Sequence, residues 1–221
     1  MARDKENKKG ETMKILIYGD SNVWGYRKIP REFRENPEIK IRQLDEKTRW
    51  AGIFSDKIRK KYGTGNVKIM IDGLNSRVAG DEENDEKTLN SKADFAKKIT
   101  KNLDFNLIII ALGTNDLKPK YDLSPDEISR NILWYKTKIH EIREEKTIKI
   151  LFILPPNFVP KPGGMRNSVR KTANNFAKKS LAKNEFLEIE DIDLSEDGVH
   201  FSDVVHAEMA VKVFAKTEEI L

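Results

Sequence analysis

The large apolar residues of this chain gather in five short runs, and charged residues are frequent in the longer stretches between them. The first, third and fourth runs are nearly continuous in Ile and Leu, a pattern typical of strands that are covered on both faces. The predicted strands cover residues 15–18, 67–71, 107–112, 148–154 and 186–189.

The stretches between these runs carry apolar residues at helical spacing. One of them opens with Ser124-Pro125-Asp126-Glu127, a capping box with proline at the first helical position. This box predicts the start of a long helix. The predicted helices cover residues 48–62, 91–103, 124–145, 165–182 and 202–220.

The alternation of strands and helices decides the fold class. Such alternation favours a parallel sheet with helices on both of its faces. With five strands, the natural architecture is a single-domain, flavodoxin-like three-layer α/β/α sandwich with a five-stranded parallel sheet. We assign residues 13–221 to this domain and expect residues 1–12, which are mostly charged, to form a disordered leader.

Composition narrows the chemistry that the domain can perform. The 221 residues include no cysteine, which excludes disulfides, iron–sulfur clusters, cysteine-rich zinc sites and thiol nucleophiles. The only histidines are His140, His200 and His206. A catalytic or metal-binding role for histidine is therefore limited to these three residues.

The charge pattern bears on partners and location. The chain carries 41 Lys and Arg against 36 Asp and Glu, but the lysines are interleaved with acidic residues, whereas nucleic-acid-binding proteins more often cluster them on one face. No run approaches the ~20 apolar residues of a membrane helix, and no secretory signal is recognisable. We expect a cytoplasmic protein with no nucleic-acid or membrane partner.

Two charged segments predict surface loops, residues 27–47 and residues 81–87. Loops of the first length often act as lids over a site, although simple solvated decoration is at least as common. The sequence leaves both interpretations of the 27–47 insertion open. It also leaves self-association open, because contacts between copies of the chain are one use of such an insertion.

Three polar turns follow the first three predicted strands: Gly19-Asp20-Ser21-Asn22, Gly73-Leu74-Asn75-Ser76-Arg77 and Gly113-Thr114-Asn115-Asp116. Ligands of open α/β sheets bind beyond the carboxyl ends of the strands. Any one of these turns alone is explained by backbone geometry, since Gly, Asn, Asp and Ser suit turns. The coincidence of three favours a functional site.

A fourth segment, Asp197-Gly198-Val199-His200, precedes the last predicted helix. A carboxylate three residues before a histidine can bind Nδ1 and leave Nε2 free to act as a base. The same spacing joins Asp203 to His206, but there we expect a routine surface pair within a helix. Gly198 makes the first pair loop-like and favours His200, while His140 is expected to be a partly exposed helix residue.

Ser21 is the candidate nucleophile, with His200 as its base and Asp197 as the partner of His200. The oxyanion would need preorganised donors. The candidates are the Ser21 backbone N–H, a backbone N–H of the 73–76 turn and the Asn115 side-chain amide. The G-x-S-x-G elbow of α/β-hydrolases is absent.

The four segments, in this order, resemble the SGNH/GDSL hydrolase family over residues 14–221, and most closely its bacterial arylesterase/perhydrolase-like branch. The features that suggest the branch are Trp24-Gly25-Tyr26, Arg49-Trp50 and the blocks at residues 73–77, 112–116 and 197–201. The resemblance implies a Ser21, Asp197 and His200 triad, Asn115 as an oxyanion donor and a flavodoxin-like sheet. Many members have a second glycine in the segment that corresponds to residues 73–77, at the position where this chain has Ser76. Both Gly73 and Ser76 are therefore candidates for the amide donor.

The other polar and aromatic residues of these segments have plainer interpretations beside the functional ones. Asp20 is a candidate for the substrate-binding side, but bracing the turn is favoured, and Asp116 suits a turn or cap. For Trp24 and Trp50 there are two interpretations: the side chains line an acyl pocket, or they fill the core. The core is slightly favoured. Pro155-Pro156 is expected to end the fourth strand.

Together these observations predict a serine esterase that needs no cofactor or metal and acts on small acetyl, short-chain, aryl or sugar esters. A lysophospholipase or thioesterase of the same family is the nearest alternative. A metal-dependent phosphoesterase that uses Asp20, Asn115, Asp116 and His200 as ligands and a non-catalytic binding module are alternatives of other classes.

Overall fold

The computed structural model describes residues 12–27, 43–81, 91–101, 104–142, 148–161, 163–190 and 192–221. Nearly all of the predicted leader, most of the 27–47 insertion and the acidic loop beyond Asp81 lie outside the described residues. The strands within the described part are β1 Met13–Gly19, β2 Val67–Gly73, β3 Leu107–Ala111, β4 Lys149–Ile153 and β5 Phe186–Leu187. The helices there are α1 Ser21–Trp24, α2 Trp50–Tyr62, α3 Ser91–Lys101, α4 Pro125–Ile142, α5 Asn167–Lys179 and α6 Asp203–Ile220.

The five strands form one parallel sheet, as predicted, and their order is β2-β1-β3-β4-β5. The order reverses direction at β1, because the chain passes to β2 on one side and then to β3 on the other. Gly19 pairs with Gly73 of β2 and with Ala111 of β3, so these three strands end at one level. The crevice where the strand order reverses is where such sheets bind ligands.

The helices cover both faces of the sheet. Helix α2 packs against α6, and α4 packs against both α3 and α5. With the right-handed crossovers usual for parallel strands, the strand order places α2 on one face of the sheet and α3, α4 and α5 on the other. The core lies between these layers and includes every side chain from Ile15 to Tyr18, all fully buried. Trp50 is also buried, with 1% of its surface exposed, and it belongs to this core.

The strands differ in burial according to their position in the sheet. The central strands β1 and β3 are almost wholly buried, whereas the edge strand β2 alternates, with Met70 41% exposed. The fifth strand is shorter than predicted because its partner strand, β4, ends. The Leu154 N–H donates to the Leu187 carbonyl, and Pro155-Pro156, which follows, has no N–H to continue the ladder.

The predicted capping box is confirmed. The Glu127 carboxylate accepts from the Ser124 N–H at 2.8 Å, and the Ser124 hydroxyl accepts from the Glu127 N–H at 3.3 Å. The other end of this helix, predicted at residue 145, lies outside the described residues. Among the described residues, no helix combines the length and apolar character needed to cross a membrane.

Candidate active site

The turn between β1 and α1 brings Ser21 to the crevice. Gly19 allows a close approach, because a Cβ there would lie 2.7 Å from the carbonyl oxygen of Ala111. Asp20 donates its N–H to that same carbonyl at 3.2 Å, and its carboxylate accepts from the Asn22 N–H at 2.9 Å. Ser21 is therefore the first residue of a short helix whose start is capped and joined to β3.

Asp20 itself is directed into the protein. Its carboxyl is buried and accepts a hydrogen bond from the side chain of Thr114 as well as the one from Asn22. Burial raises the pKa of Asp20, while these hydrogen bonds oppose that rise. Its contacts place Asp20 as a brace between the turns that follow β1 and β3.

Two backbone bonds fix the other end of α1. Gly25 has φ of 85°, the left-handed conformation that favours glycine. The amides of Gly25 and Tyr26 both donate to the carbonyl of Ser21 at 2.9 Å. Trp24, which is half-buried, accepts at its carbonyl from the side chains of Gln43 and Arg49.

The loop before α6 wraps around the Asp197 carboxylate. Gly198, with φ of 72°, lets the chain fold back so that one carboxylate oxygen accepts from the amides of Val199 and His200 and from the Ser195 hydroxyl, each at 2.9 Å. Ser195 also donates its N–H to the His200 carbonyl at 2.8 Å. Four hydrogen bonds thus hold this loop in one shape.

Ser21, His200 and Asp197 lie in one hydrogen-bonded line. The second oxygen of Asp197 is 2.7 Å from Nδ1 of His200, and Nε2 of His200 is 3.0 Å from Oγ of Ser21. A carboxylate can only accept, so Nδ1 carries the proton and Nε2 accepts from the serine hydroxyl. Burial acts to raise the pKa of Asp197, but the hydrogen bonds from His200 and Val199 outweigh it and hold the pKa well below its usual range.

Two further contacts join the serine turn to the histidine loop. The Asn22 side-chain oxygen accepts from the Phe201 N–H at 3.1 Å. The Tyr26 ring lies against the His200 ring, with centroids 4.3 Å apart and planes inclined by 34°. These contacts reach across 179 and 174 residues of sequence, and no local pattern indicates them.

The turns after β2 and β3 are clamped to each other. One N–H of the Asn115 side chain donates to the Arg77 carbonyl at 3.0 Å. The fully buried Asp116 carboxylate accepts from the amides of Ala79 and Gly80 at 2.7 and 3.1 Å. Asp116 therefore anchors the segment after β2, a longer-range role than the local turn or cap expected from the sequence.

Gly73 and Ser76, the two candidates for the backbone amide donor to the oxyanion, differ in backbone conformation and position. Gly73 ends β2, and a Cβ on it would lie 2.3 Å from the backbone nitrogen of Trp24. The glycine therefore allows α1 to pack against β2. Ser76 lies in the following turn with φ of 59°, a left-handed conformation that glycine adopts more easily.

Arg77 is a structural residue of this edge to which the sequence patterns assign no role. Its guanidinium is buried and donates to the carbonyls of Gly19 and Asp72 at 3.0 and 2.8 Å and to the Asp72 carboxylate at 2.8 Å. It also lies 4.0 Å from the centre of the Tyr18 ring. The guanidinium thus joins the ends of β1 and β2. The sequence signal for this role is an arginine at the end of a segment whose other residues are typical of a turn.

The prediction for His206 is wrong. His206 is fully buried, and its Nδ1 accepts from the Trp50 N–H at 3.2 Å, whereas Asp203 is exposed. The face of α6 that carries His206 packs against α2, so Asp203 lies on the surface whereas His206 does not, and the two do not form a surface pair. Burial lowers the pKa of His206 to about 4. His140 is exposed on α4, as expected.

The described residues contain no group of three or more His, Asp and Glu side chains arranged to hold a metal ion. His200 is bonded to Ser21 and Asp197, and Asp116 is bonded to backbone amides. These contacts occupy two of the four side chains that the phosphoesterase alternative would use as ligands.

Several solved structures have the same fold as this chain. Est24, a carbohydrate acetylesterase from Sinorhizobium meliloti, superposes with a TM-score of 0.74 at 22% identity, over 94% of this chain and 99% of the other. The native aryl esterase of M. smegmatis gives 0.76 at 20% identity, over 95% and 100%. A lipase/acylhydrolase from Enterococcus faecalis gives 0.62 at 18% identity, over 94% and 96%.

Comparison of the sequence itself is decisive for the family. No curated protein matches the chain. The model of the GDSL-like lipase/acylhydrolase family matches residues 15–213, which contain all four segments of the resemblance noted in the sequence. The chain therefore belongs to the GDSL-like lipase/acylhydrolase family and is a carboxylic ester hydrolase.

Proposed function

We propose that the protein is a serine esterase that hydrolyses small acyl esters, acetyl or short-chain esters of aryl alcohols or sugars, through an acyl-enzyme on Ser21. The observation that carries the proposal is the line of hydrogen bonds from Ser21 through His200 to Asp197, with distances of 3.0 and 2.7 Å. Nucleophile, base and orienting carboxylate are in contact in the order that covalent catalysis needs.

Acylation begins when Nε2 of His200 takes the hydroxyl proton of Ser21 while Oγ attacks the ester carbonyl carbon. The resulting imidazolium then gives that proton to the alkoxy oxygen, whose bond to carbon breaks, and the alcohol leaves. Water repeats the sequence on the acyl-serine: it gives a proton to His200, attacks the carbonyl carbon and releases the acid. Asp197 holds Nδ1 protonated throughout and stabilises the imidazolium.

The oxyanion would be bound by backbone and side-chain amides at the switch point of the sheet. The Asn115 side chain donates one N–H to the Arg77 carbonyl, which orients the amide and leaves its second N–H for the oxyanion. The Ser21 N–H is a second donor. For the third we propose Ser76, because its amide belongs to the turn, whereas Gly73 lies within β2 and packs against the backbone of Trp24.

The family and the structural neighbours support the proposed substrate class. The family is one of lipases and acylhydrolases, and the structural neighbours include a carbohydrate acetylesterase and an aryl esterase. Trp24 is half-buried beside the nucleophile, which suits a wall for a short acyl group. Asp20, which is bonded within the turn, would support Ser21 without contacting the substrate.

A labelling experiment tests the nucleophile. A fluorophosphonate should form a covalent bond to Ser21 with loss of fluoride, so the wild-type protein is labelled and Ser21→Ala is not. Ser168→Ala, at an exposed position on α5, is the matched control and should be labelled at the wild-type rate. Undiminished labelling or esterase activity of Ser21→Ala would refute the proposal.

A substrate panel tests the acyl class. Acetyl, butyryl and octanoyl nitrophenyl esters and an acetylated sugar should give the highest kcat/KM with the acetyl and butyryl groups, unchanged by EDTA. A preference for octanoyl esters would favour the lysophospholipase or thioesterase alternative. Loss of activity in EDTA would favour a metal-dependent enzyme.

A further inference from the structure

The Tyr26 ring covers one face of the imidazole on which the proposed mechanism depends. The ring centroids of Tyr26 and His200 are 4.3 Å apart, and the planes are inclined by 34°, so the rings are closer to stacked than to edge-on. Both nitrogens of His200 remain bonded in its ring plane, to Asp197 and to Ser21. The tyrosine therefore occupies a direction that neither hydrogen-bond partner uses.

The backbone gives Tyr26 a fixed position relative to the nucleophile. Its N–H donates to the carbonyl of Ser21 at 2.9 Å. The left-handed Gly25 before it turns the chain, and an antiparallel bridge to Gln43 holds it from the other side. Movement of Tyr26 is thus tied to the residue that carries Oγ.

We propose that Tyr26 is a positioning residue that holds the His200 ring in the plane shared by Ser21 and Asp197 and stabilises the imidazolium formed in each half-reaction. This inference rests on the proposed function of the site. The face of an aromatic ring attracts a cation, and His200 bears positive charge only after it has taken a proton. The contact with Tyr26 is therefore stronger in the charged state than in the resting state, as catalysis requires.

Other titratable groups near His200 bear on its charge, and every Tyr26 variant retains them. Asp197 lies on the same loop. Asp20, ahead of α1, and His206, on α6, interact with His200 electrostatically. A change in the titration of His200 on substitution of Tyr26 therefore reports the ring contact.

Three substitutions separate the ring face from bulk and from the hydroxyl. Tyr26→Phe keeps the face, and its kcat should stay within about twofold of wild type. Tyr26→Leu keeps bulk without the π system, and its kcat should fall by about five- to tenfold with little change in KM. Tyr62→Leu, at the last residue of α2 and half-buried like Tyr26, is the matched control and should leave both constants unchanged.

The pH dependence distinguishes positioning of His200 from general packing. Without the aromatic face the imidazolium is less stable, so the acidic limb of kcat/KM in Tyr26→Leu should move to lower pH by about half a unit. The NMR titration of the His200 ring protons should move in the same direction in Tyr26→Leu and stay near wild type in Tyr26→Phe. With only three histidines in the chain, comparison with His200→Gln identifies the signal.

The results that would overturn the proposal are specific. A change in KM alone would make Tyr26 a substrate contact, equal losses in the Phe and Leu variants would assign the effect to the hydroxyl, and an unmoved His200 titration would remove the ring contact as a cause. The NMR measurement needs no turnover. Failure of Ser21 as nucleophile is therefore distinguishable from failure of this proposal.

Discussion

His200 and His206 each follow an aspartate by three residues, yet the fold gives the two histidines opposite surroundings. His200 lies in a loop in which Gly198, with φ of 72°, turns the chain so that Asp197 meets both the ring and the backbone of the histidine. His206 lies inside α6, where its ring faces α2 and Asp203 faces solvent.

The difference shows what the proposed mechanism requires of an Asp–His pair. His200 has a partner on each ring nitrogen, and one of them is a hydroxyl at the edge of the sheet. Nδ1 of His206 accepts a hydrogen bond from the Trp50 N–H, and its buried Nε2 has no hydrogen-bond partner among the described residues. The backbone between aspartate and histidine, and not the spacing, decides which ring can exchange a proton with a substrate.

Substituting the two histidines should give the largest contrast. His200→Gln removes the proposed base and should lower kcat for a nitrophenyl acetate by at least ~10⁴-fold, in the range seen when a triad base is lost. His206→Asn keeps an oxygen to accept from the Trp50 N–H, so its kcat should stay within about threefold of wild type. Steady-state kinetics measure both, with circular dichroism to verify folding, and comparable losses in the two variants would contradict the assignment.

The two aspartates should differ by a smaller factor. Asp197→Asn removes the charge that holds Nδ1 protonated and stabilises the imidazolium, and we expect kcat to fall by about 10³–10⁴-fold. Asp203→Asn, at an exposed position, should leave kcat within twofold. Stability is measured on both variants, because Asp197 also holds three neighbouring groups of its loop. A loss of activity explained entirely by unfolding would count against an electrostatic role.

Sequence patterns were sufficient for the parts of the molecule whose partners are local or repeat along the chain. The predicted bounds of β1, β3 and β4 agree with the structure within two residues at either end, because strands covered on both faces exclude polar residues. The capping box at Ser124 satisfies its own bonds within four residues. Ser21, Asp197 and His200 each stand in a short motif, and the fold brings those motifs into contact.

The residues whose role or position the sequence patterns do not predict depend on packing between distant elements. Arg77 binds groups on β1 and β2, and Tyr26 meets a ring 174 residues later in the chain. His206 was misplaced because the buried face of α6 is set by its contact with α2. The two-residue length of β5 was set by prolines that follow its neighbour and not by its own sequence.

The smallest effect we expect from this comparison is on stability and not on activity. The pKa of His206 falls from 6.5 to about 4 on folding, so between these pH values the unfolded chain binds a proton that the folded chain does not. The free energy of unfolding should therefore be unaffected by His206 above pH 6.5 and should decrease as the pH falls towards 4, by up to roughly 3 kcal/mol in total. Asp197, whose pKa is lowered, adds its own loss only at more acidic pH.

Urea unfolding at several pH values measures this dependence. Wild type and the control His140→Asn, at an exposed position on α4, should lose stability in parallel between pH 6.5 and 4. His206→Asn has no titrating group at this position, so the difference between its curve and that of wild type isolates the histidine. A constant difference across this interval would show that His206 titrates alike in the folded and unfolded chains, and the buried, neutral state assigned to it would be wrong.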